Sequence, residues 1–365
     1  MVTPVLDWSA RIASHVAEVE QLLDSRLAGL RRRWHAEVVG ESGGGAAFDV
    51  DPPALLRDML ERGGKRTRPV MTYLGWIAGD GHRRDVGHPD VVRAGAAVEL
   101  LHAFALVHDD VMDESDTRRG RPTLHRNVAR LHRAGGGRGS SERFGESVAV
   151  LVGDLAHAEA DRLAATLPAP LSDVWQQLVL ELVAGQLWDL TGSAAADRRL
   201  SFARSVARQK TGNYTVARPL QLGAAAAQGS PELLAALGEY GRHAGEAFAL
   251  RDDMLGAYGD PAVTGKPAGD DLRSGKPTVL LAMSAQLLTG PAIDALAVAG
   301  TAEMTAAQVC TLQQAMLEQG VVERVEAMID ERIGDALDAL APGVVSADGI
   351  EQLTRVVDEL TRRGR

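Results

Sequence analysis

An all-α protein is what this sequence predicts, from three observations. Apolar residues recur at threes and fours along most of the chain. No segment alternates apolar and polar positions as a half-buried strand does. Aromatic residues make up only 4%, and strands favour aromatic and β-branched side chains. In Ile12 to Val38, Val16, Val19, Leu22, Leu23, Leu27 and Leu30 fall among charged residues, the pattern of an amphipathic helix. Gly40 to Pro53 is glycine-rich and reads as a loop. Val91 to Asp113 is an apolar helix, polar only near its end; Val91 to Leu106 is apolar nearly all round and belongs at the centre. Helical spacing continues through Glu142–Leu167, Leu171–Leu190, Phe202–Ala217, Pro231–Tyr258, Pro277–Leu288, Ala306–Gln319, Val321–Leu340 and Gly349–Arg362. Ala134–Ser141 and Gly259–Gly275 read as loops from their glycines and prolines. No repeat and no boundary interrupts this pattern, so one domain over residues 1–365 is expected.

Composition narrows the function. Of 365 residues, 45% are hydrophobic and 24% charged, as in a soluble globular protein. The formal net charge of -10 argues against general nucleic-acid binding, which needs a basic surface. A local basic pocket for a small anion stays open. Cys310 is the single cysteine, so an internal disulfide and a cysteine-based zinc site are excluded. Met1 to Ala10 lacks the basic start and apolar core of a signal peptide. No charge-free apolar run reaches the length of a membrane-spanning helix. A cytoplasmic protein is therefore expected.

Two acidic clusters carry chemistry. Asp109 and Asp113 stand four apart at the end of the apolar helix, with Asp110 between them. Residues so spaced share a helical face, where like charges repel. A hard divalent cation reverses that balance, and magnesium typically shares one or two carboxylates with substrate phosphates. Arg118, Arg119 and Arg121 follow at once, suited to phosphate oxygens. Asp252 and Asp253 end a second long apolar helix; beyond them come Lys266, Asp270, Asp271 and Lys276 among glycines. Glycine lets backbone approach a ligand closely. Gly63 to Pro69 adds Lys65, Arg66, Thr67 and Arg68 beside two glycines.

In order along the chain, GGKRTRP, LLHAFALVHDDVMDESDTRRGRPTLH, LVGDLAHAEA with GQLWDL, KTGNY, and RDDMLGAYGDPAVTGKPAGDDLRSGKPT together resemble the trans-isoprenyl diphosphate synthase (polyprenyl synthetase) family. The last segment is most similar to the actinobacterial branch that includes geranylgeranyl diphosphate synthases. The resemblance implies an isoprenoid-synthase-like bundle of roughly a dozen helices around a central cavity, usually a homodimer. It implies that an allylic diphosphate ionises, isopentenyl diphosphate attacks the cation, and a proton is lost. It also implies about three magnesium ions bridging to diphosphate. Asp109 and Asp113 resemble the magnesium ligands, supported by Asp110; Asp252 resembles the ligand of a further ion on the opposite helix, with Asp253 nearby. Arg118, Lys210, Lys266 and Lys276 resemble the grip on the allylic diphosphate, assisted by Thr211. Lys65, Arg68, His102 and Arg119 resemble the isopentenyl diphosphate site. Gln186 and Asp189 resemble a polar pair lining the pocket. The catalytic step would fall to Asp109, Asp113, Asp252, Lys210 and Lys266.

Two positions depart from the family pattern. Gly256 stands where a third aspartate is usual, and Ala249 where a glutamine is usual. Chain length would be set at Phe104 and Ala105, five and four residues before Asp109, where the resemblance makes a bulky residue a floor under the growing tail. A large Phe104 with a small Ala105 points to a C20 product over C15. Two other readings stay open: a class I terpene cyclase, which needs no second diphosphate site, and a non-catalytic partner subunit.

Overall fold

Helices begin where the sequence supplies an acceptor for their first amides. Asp7 caps α1 (Trp8–Arg33), accepting from Ala10 N at 3.1 Å. Asp51 caps α2 (Pro52–Glu61), which opens on two prolines that need no amide partner. This computed structural model describes residues 7–39, 50–118, 120–259 and 268–362. They fall into two compact units, Met1–Tyr73 with Gly87–Ser172, and Leu74–Val86 with Asp173–Arg365.

In the first unit, α1 and α2 pack with α5 (His88–Met112), α6 (Leu124–Ala134) and α7 (Ser141–Ala164). The π-helical turn π1 (Trp34–Val39) continues α1, and α3 (Thr67–Ala78) begins in this unit and runs on into the second. Every residue from Ala94 to Leu101 of α5 is buried, so those two turns are covered all round, as their apolar sequence requires. Among the described residues α5 is the one helix long and apolar enough to cross a membrane, but 61% of that window is buried inside the protein. It is a core helix. The described strands are two residues each, β1 (Thr117–Arg118) and β2 (Arg121–Pro122), paired antiparallel around Gly120.

The second unit holds α4 (Gly81–Arg84), most of α8 (Ala169–Ala194), α9 (Leu200–Val206), α10 (Arg218–Ala226) and α11 (Pro231–Tyr258). The rest is α12 (Asp270–Arg273), α13 (Val279–Leu287), α14 (Pro291–Ala297), α15 (Ala306–Glu318), α16 (Val321–Asp338) and α17 (Ala347–Thr361). Leu250, Met254, Leu272, Leu281, Leu312, Met316 and Ile329 form its main core. Thr305 starts α15 with a reciprocal capping box to Gln308.

The all-α expectation holds. Several short helices were not legible: α2 starts at the end of the expected loop, and α3 takes up the latter half of GGKRTRP. The stretch Phe202–Ala217, expected as one α-helix, is α9 followed by the π-helix π2 (Ala207–Ala217). Such wide segments are uncommon and often mark functional sites.

Candidate active site

The first cluster sits where α5 ends. Asp113 caps the helix, and Glu114 turns the chain away in a left-handed conformation, φ +52°. Asp110 is buried; Arg118 donates to its Oδ1 from Nε at 2.7 Å, and Nη2 pairs with the same oxygen by charge at 2.6 Å. The same Nη2 lies 3.6 Å from Asp109 Oδ2. Burial opposes the charge on Arg118, but the Asp110 hydrogen bond and the charges of Asp110, Asp109 and Asp113 outweigh it and hold the guanidinium above its ordinary range. The β1–β2 pair brings Arg118 back to the acids; Gly120 makes the turn at φ +70°. Thr123 Oγ1 donates to Ser115 O at 2.8 Å and ties the segment down. Thus Asp110 is engaged by arginine, with Asp109 and Asp113 half-buried beside it on the same helix end. An all-oxygen donor set on a partly buried helix end suits magnesium.

Phe104 lies one turn before the acids. Its ring stacks on His157 with centroids 4.7 Å apart and meets His108 edge-on at 4.6 Å. Gly153 makes room, since a Cβ there would fall 2.2 Å from the His108 ring. His108 is held by the Val150 carbonyl, 3.0 Å from Nε2. Ala105 and His102 are half-buried on the same helix. Lys65 is exposed and Arg68 half-buried at the start of α3. Between them Arg66, in a left-handed conformation, bonds Glu99 at 2.6 Å, Glu20 at 3.0 Å and Leu60 O at 2.9 Å. Of the four donor-bearing side chains in this segment, Arg66 therefore holds structure.

In the second unit, π2 carries Lys210 and Thr211. Lys210 Nζ lies 2.6 Å from Oδ2 of buried Asp189 on α8, a pairing the sequence did not disclose. Gly185 permits this approach, because a Cβ there would lie 2.4 Å from Lys210 N. Gln186 is half-buried on the same helix. On its other side π2 meets α11 backbone to backbone, with Gly212 against Gly245. Fully buried Glu246 joins the two, with Arg204 Nε at 2.5 Å and Arg208 Nη1 at 3.5 Å.

Asp252 is exposed at the end of α11, whereas Asp253 is set deep in the protein with part of its surface accessible. Burial, then the charges of Asp271, Asp252 and Asp189, raise the Asp253 carboxyl well above its ordinary range, with Lys276 opposing. Lys276 Nζ is 3.7 Å from Asp271 Oδ1. Sequence reasoning named Asp271 within its loop but gave it no role. Arg251 points away from the acids and is anchored by Glu326 at 2.6 and 2.7 Å and by Thr361 O at 2.5 Å. Ala249 is buried in α11. Arg119 and Lys266 lie outside the described residues. A separate group, Asp80, His82 and Asp348, brings ligand atoms within 4.8 Å of one another. Arg83 holds Asp348 Oδ2 at 2.6 Å, so this group serves as a tie between α4 and α17.

Comparison with known proteins agrees with this architecture. The polyprenyl synthetase family model matches residues 53–311. The geranylgeranyl diphosphate synthase of Mycobacterium tuberculosis is 35% identical over 292 residues, 78% of this chain and 77% of its own. The geranylfarnesyl diphosphate synthase of Aeropyrum pernix is 33% identical over 232 residues, 61% of this chain and 67% of its own. Among solved structures, a geranylgeranyl pyrophosphate synthase from Corynebacterium glutamicum, complexed with isoprenyl diphosphate and magnesium, superposes with TM-score 0.86 at 37% identity, covering 95% of this chain and 99% of that one. The chain belongs to the polyprenyl synthetase family. It is a prenyltransferase of the short-chain trans-prenyl diphosphate synthase kind.

Proposed function

We propose that the protein condenses isopentenyl diphosphate with an allylic diphosphate and releases geranylgeranyl diphosphate. The observation that carries this reading is the acid cluster at the end of buried α5, with Arg118 folded onto Asp110 and Asp109. When bound, magnesium neutralises charge on the departing diphosphate oxygens. Asp109 and Asp113 are its ligands in the first unit; in the second unit Asp252, with Asp253 nearby, is the ligand of a further ion. Arg118, Lys210, Lys266 and Lys276, with Thr211, supply fixed positive charge and donors to the allylic diphosphate. Asp189 pairs with the Lys210 ammonium and aims it, with Gln186 beside it on α8. Lys65, Arg68, His102 and Arg119 take isopentenyl diphosphate.

Phe104 fixes product length. Its ring is stacked against His157 and wedged by His108, so it is a rigid floor, with Ala105 leaving space beside it. Relatives make both geranylgeranyl and geranylfarnesyl diphosphates, and this floor supports the C20 assignment. A cytoplasmic homodimer is part of the reading. Leu180, Val183, Leu187 and Leu190 of α8 form an apolar stripe at helical spacing, 67%, 55%, 56% and 38% exposed, which a second copy would cover.

The test is incubation with magnesium, isopentenyl diphosphate and each of the C5, C10 and C15 allylic diphosphates. The expected result is a linear C20 diphosphate, with Asp109→Asn nearly inactive. Cyclic hydrocarbons formed without isopentenyl diphosphate, or no turnover in any mixture, would overturn it.

A further inference from the structure

Gly256 leaves the second acid cluster one carboxylate short. It stands four residues after Asp252, on the same face of α11, where the family usually carries an aspartate. The space that such a side chain would take is already filled. A Cβ built on Gly256 would lie 2.2 Å from Asp271 Oδ2 and 3.2 Å from its Cγ. Asp271 reaches this place from α12, fifteen residues further along the chain. The approach is built into the backbone. Gly269 N donates to Gly256 O at 3.0 Å, and Gly269 turns the chain at φ +80° directly before α12. Lys276 N donates to Asp271 O at 3.3 Å and closes the turn after the short helix, whose start is tied to α11 through Gly269.

The consequence is an acid group gathered from separate segments. Asp252 and Asp253 come from α11, and Asp271 from α12. Lys276 is the cation nearby, 3.7 Å from Asp271. A fold under selection for stability alone would not press these carboxylates together beside a glycine, since like charges so close repel. An oxygen-ligated divalent cation makes the same arrangement favourable.

Resting on the diphosphate chemistry proposed above, we infer that Asp271 supplies the carboxylate that Gly256 lacks, and holds the divalent cation of the second cluster together with Asp252. The glycine is then a requirement of this site, because it gives Asp271 its place.

The test uses the full-length protein without turnover. Manganese binding in the presence of inorganic diphosphate is followed by electron paramagnetic resonance, with thermal melting alongside. Asp271→Ala is expected to weaken manganese binding by about 10–100-fold, the usual effect of losing a group that supports a metal. Gly256→Asp also binds poorly and melts lower, because its side chain displaces Asp271. The double variant, Gly256→Asp with Asp271→Ala, moves the carboxylate back to α11 and recovers binding. Wild-type affinity in Asp271→Ala overturns the inference. So does a double variant no better than Asp271→Ala, which would make Asp271 merely structural. Failure of the broader reading looks different: the wild-type protein would bind no manganese with diphosphate and make no product.

Discussion

Replacing Gly245 by alanine tests whether the contact between α11 and π2 positions Lys210. A Cβ at 245 would lie 2.6 Å from Gly212 Cα and 2.7 Å from Gly212 C and O. Carbon atoms sit comfortably at about 3.5–4.0 Å, so the two backbones must part by roughly 1 Å. No side chain can rotate away, because both sides of the contact are main chain. Overpacking of this kind costs about 1–3 kcal/mol, and the upper end applies where backbone itself must move. At about 3 kcal/mol the melting temperature falls by roughly 6–12 °C for a unit of this size. Lys210 stands two residues before Gly212, with Nζ 2.6 Å from Asp189. A displacement of about 1 Å breaks that bond, and misplacement on this scale costs on the order of 100-fold in rate. Circular dichroism melting and steady-state prenyl transfer read the two effects. Gly334→Ala is the control: nothing lies within 4 Å of a Cβ there, in mid-α16. Alanine at that site is expected to leave activity alone and to raise stability by up to about 1 kcal/mol. A Gly245→Ala protein that melts and turns over like Gly334→Ala would refute the reasoning.

Two further outcomes follow from the first unit. Phe104→Ala removes a ring stacked between two imidazoles, and product analysis by mass spectrometry is expected to show chains longer than those of the wild type; an unchanged product removes Phe104 from that role. His15 reports on acid stability. It is buried against Tyr73, and burial, with His88 adding and a backbone hydrogen bond at Pro69 opposing, pushes its imidazole down from 6.5 to about 4. The unfolded chain takes up the proton near pH 6.5, whereas the fold resists until about pH 4. Stability is therefore lost as pH falls through that window, by about 3 kcal/mol once both values are passed. His15→Phe keeps the stacking and is expected to lose less on acidification than the wild type; equal losses in urea melts at pH 7 and pH 4.5 would contradict this.

How much was legible depended on the range of the interaction. Helix α11 was readable to the residue, Pro231–Tyr258, because its signals are local: a Ser230 cap, proline in the first turn and glycine just past the end. The acids at the end of α5 were readable for the same reason, as a break in an otherwise apolar helix. The π-helical winding of π2 was not, since Gly185, Gly212 and Gly245 act across distant segments and each alone reads as a weak helix residue. The Lys210–Asp189 pair and the reach of Asp271 over Gly256 were hidden likewise. Both depend on contacts between helices far apart in sequence. Gly256 looked like a deficiency in the motif until its neighbour in space was known.

Arg251 gives the second acid pair an unusual dependence on the order of synthesis. Its guanidinium, buried directly before Asp252 and Asp253, is held by Thr361 O at the end of α17 and by Glu326. A chain is made from its N-terminus, and early segments fold while later ones are still emerging. The first unit ends at Ser172 and can assemble early. Glu326 comes with α16, and the second anchor of Arg251, Thr361 O, with the last turn of α17. A chain shortened before Thr361 therefore loses one of the two partners that hold Arg251 beside the second acid pair.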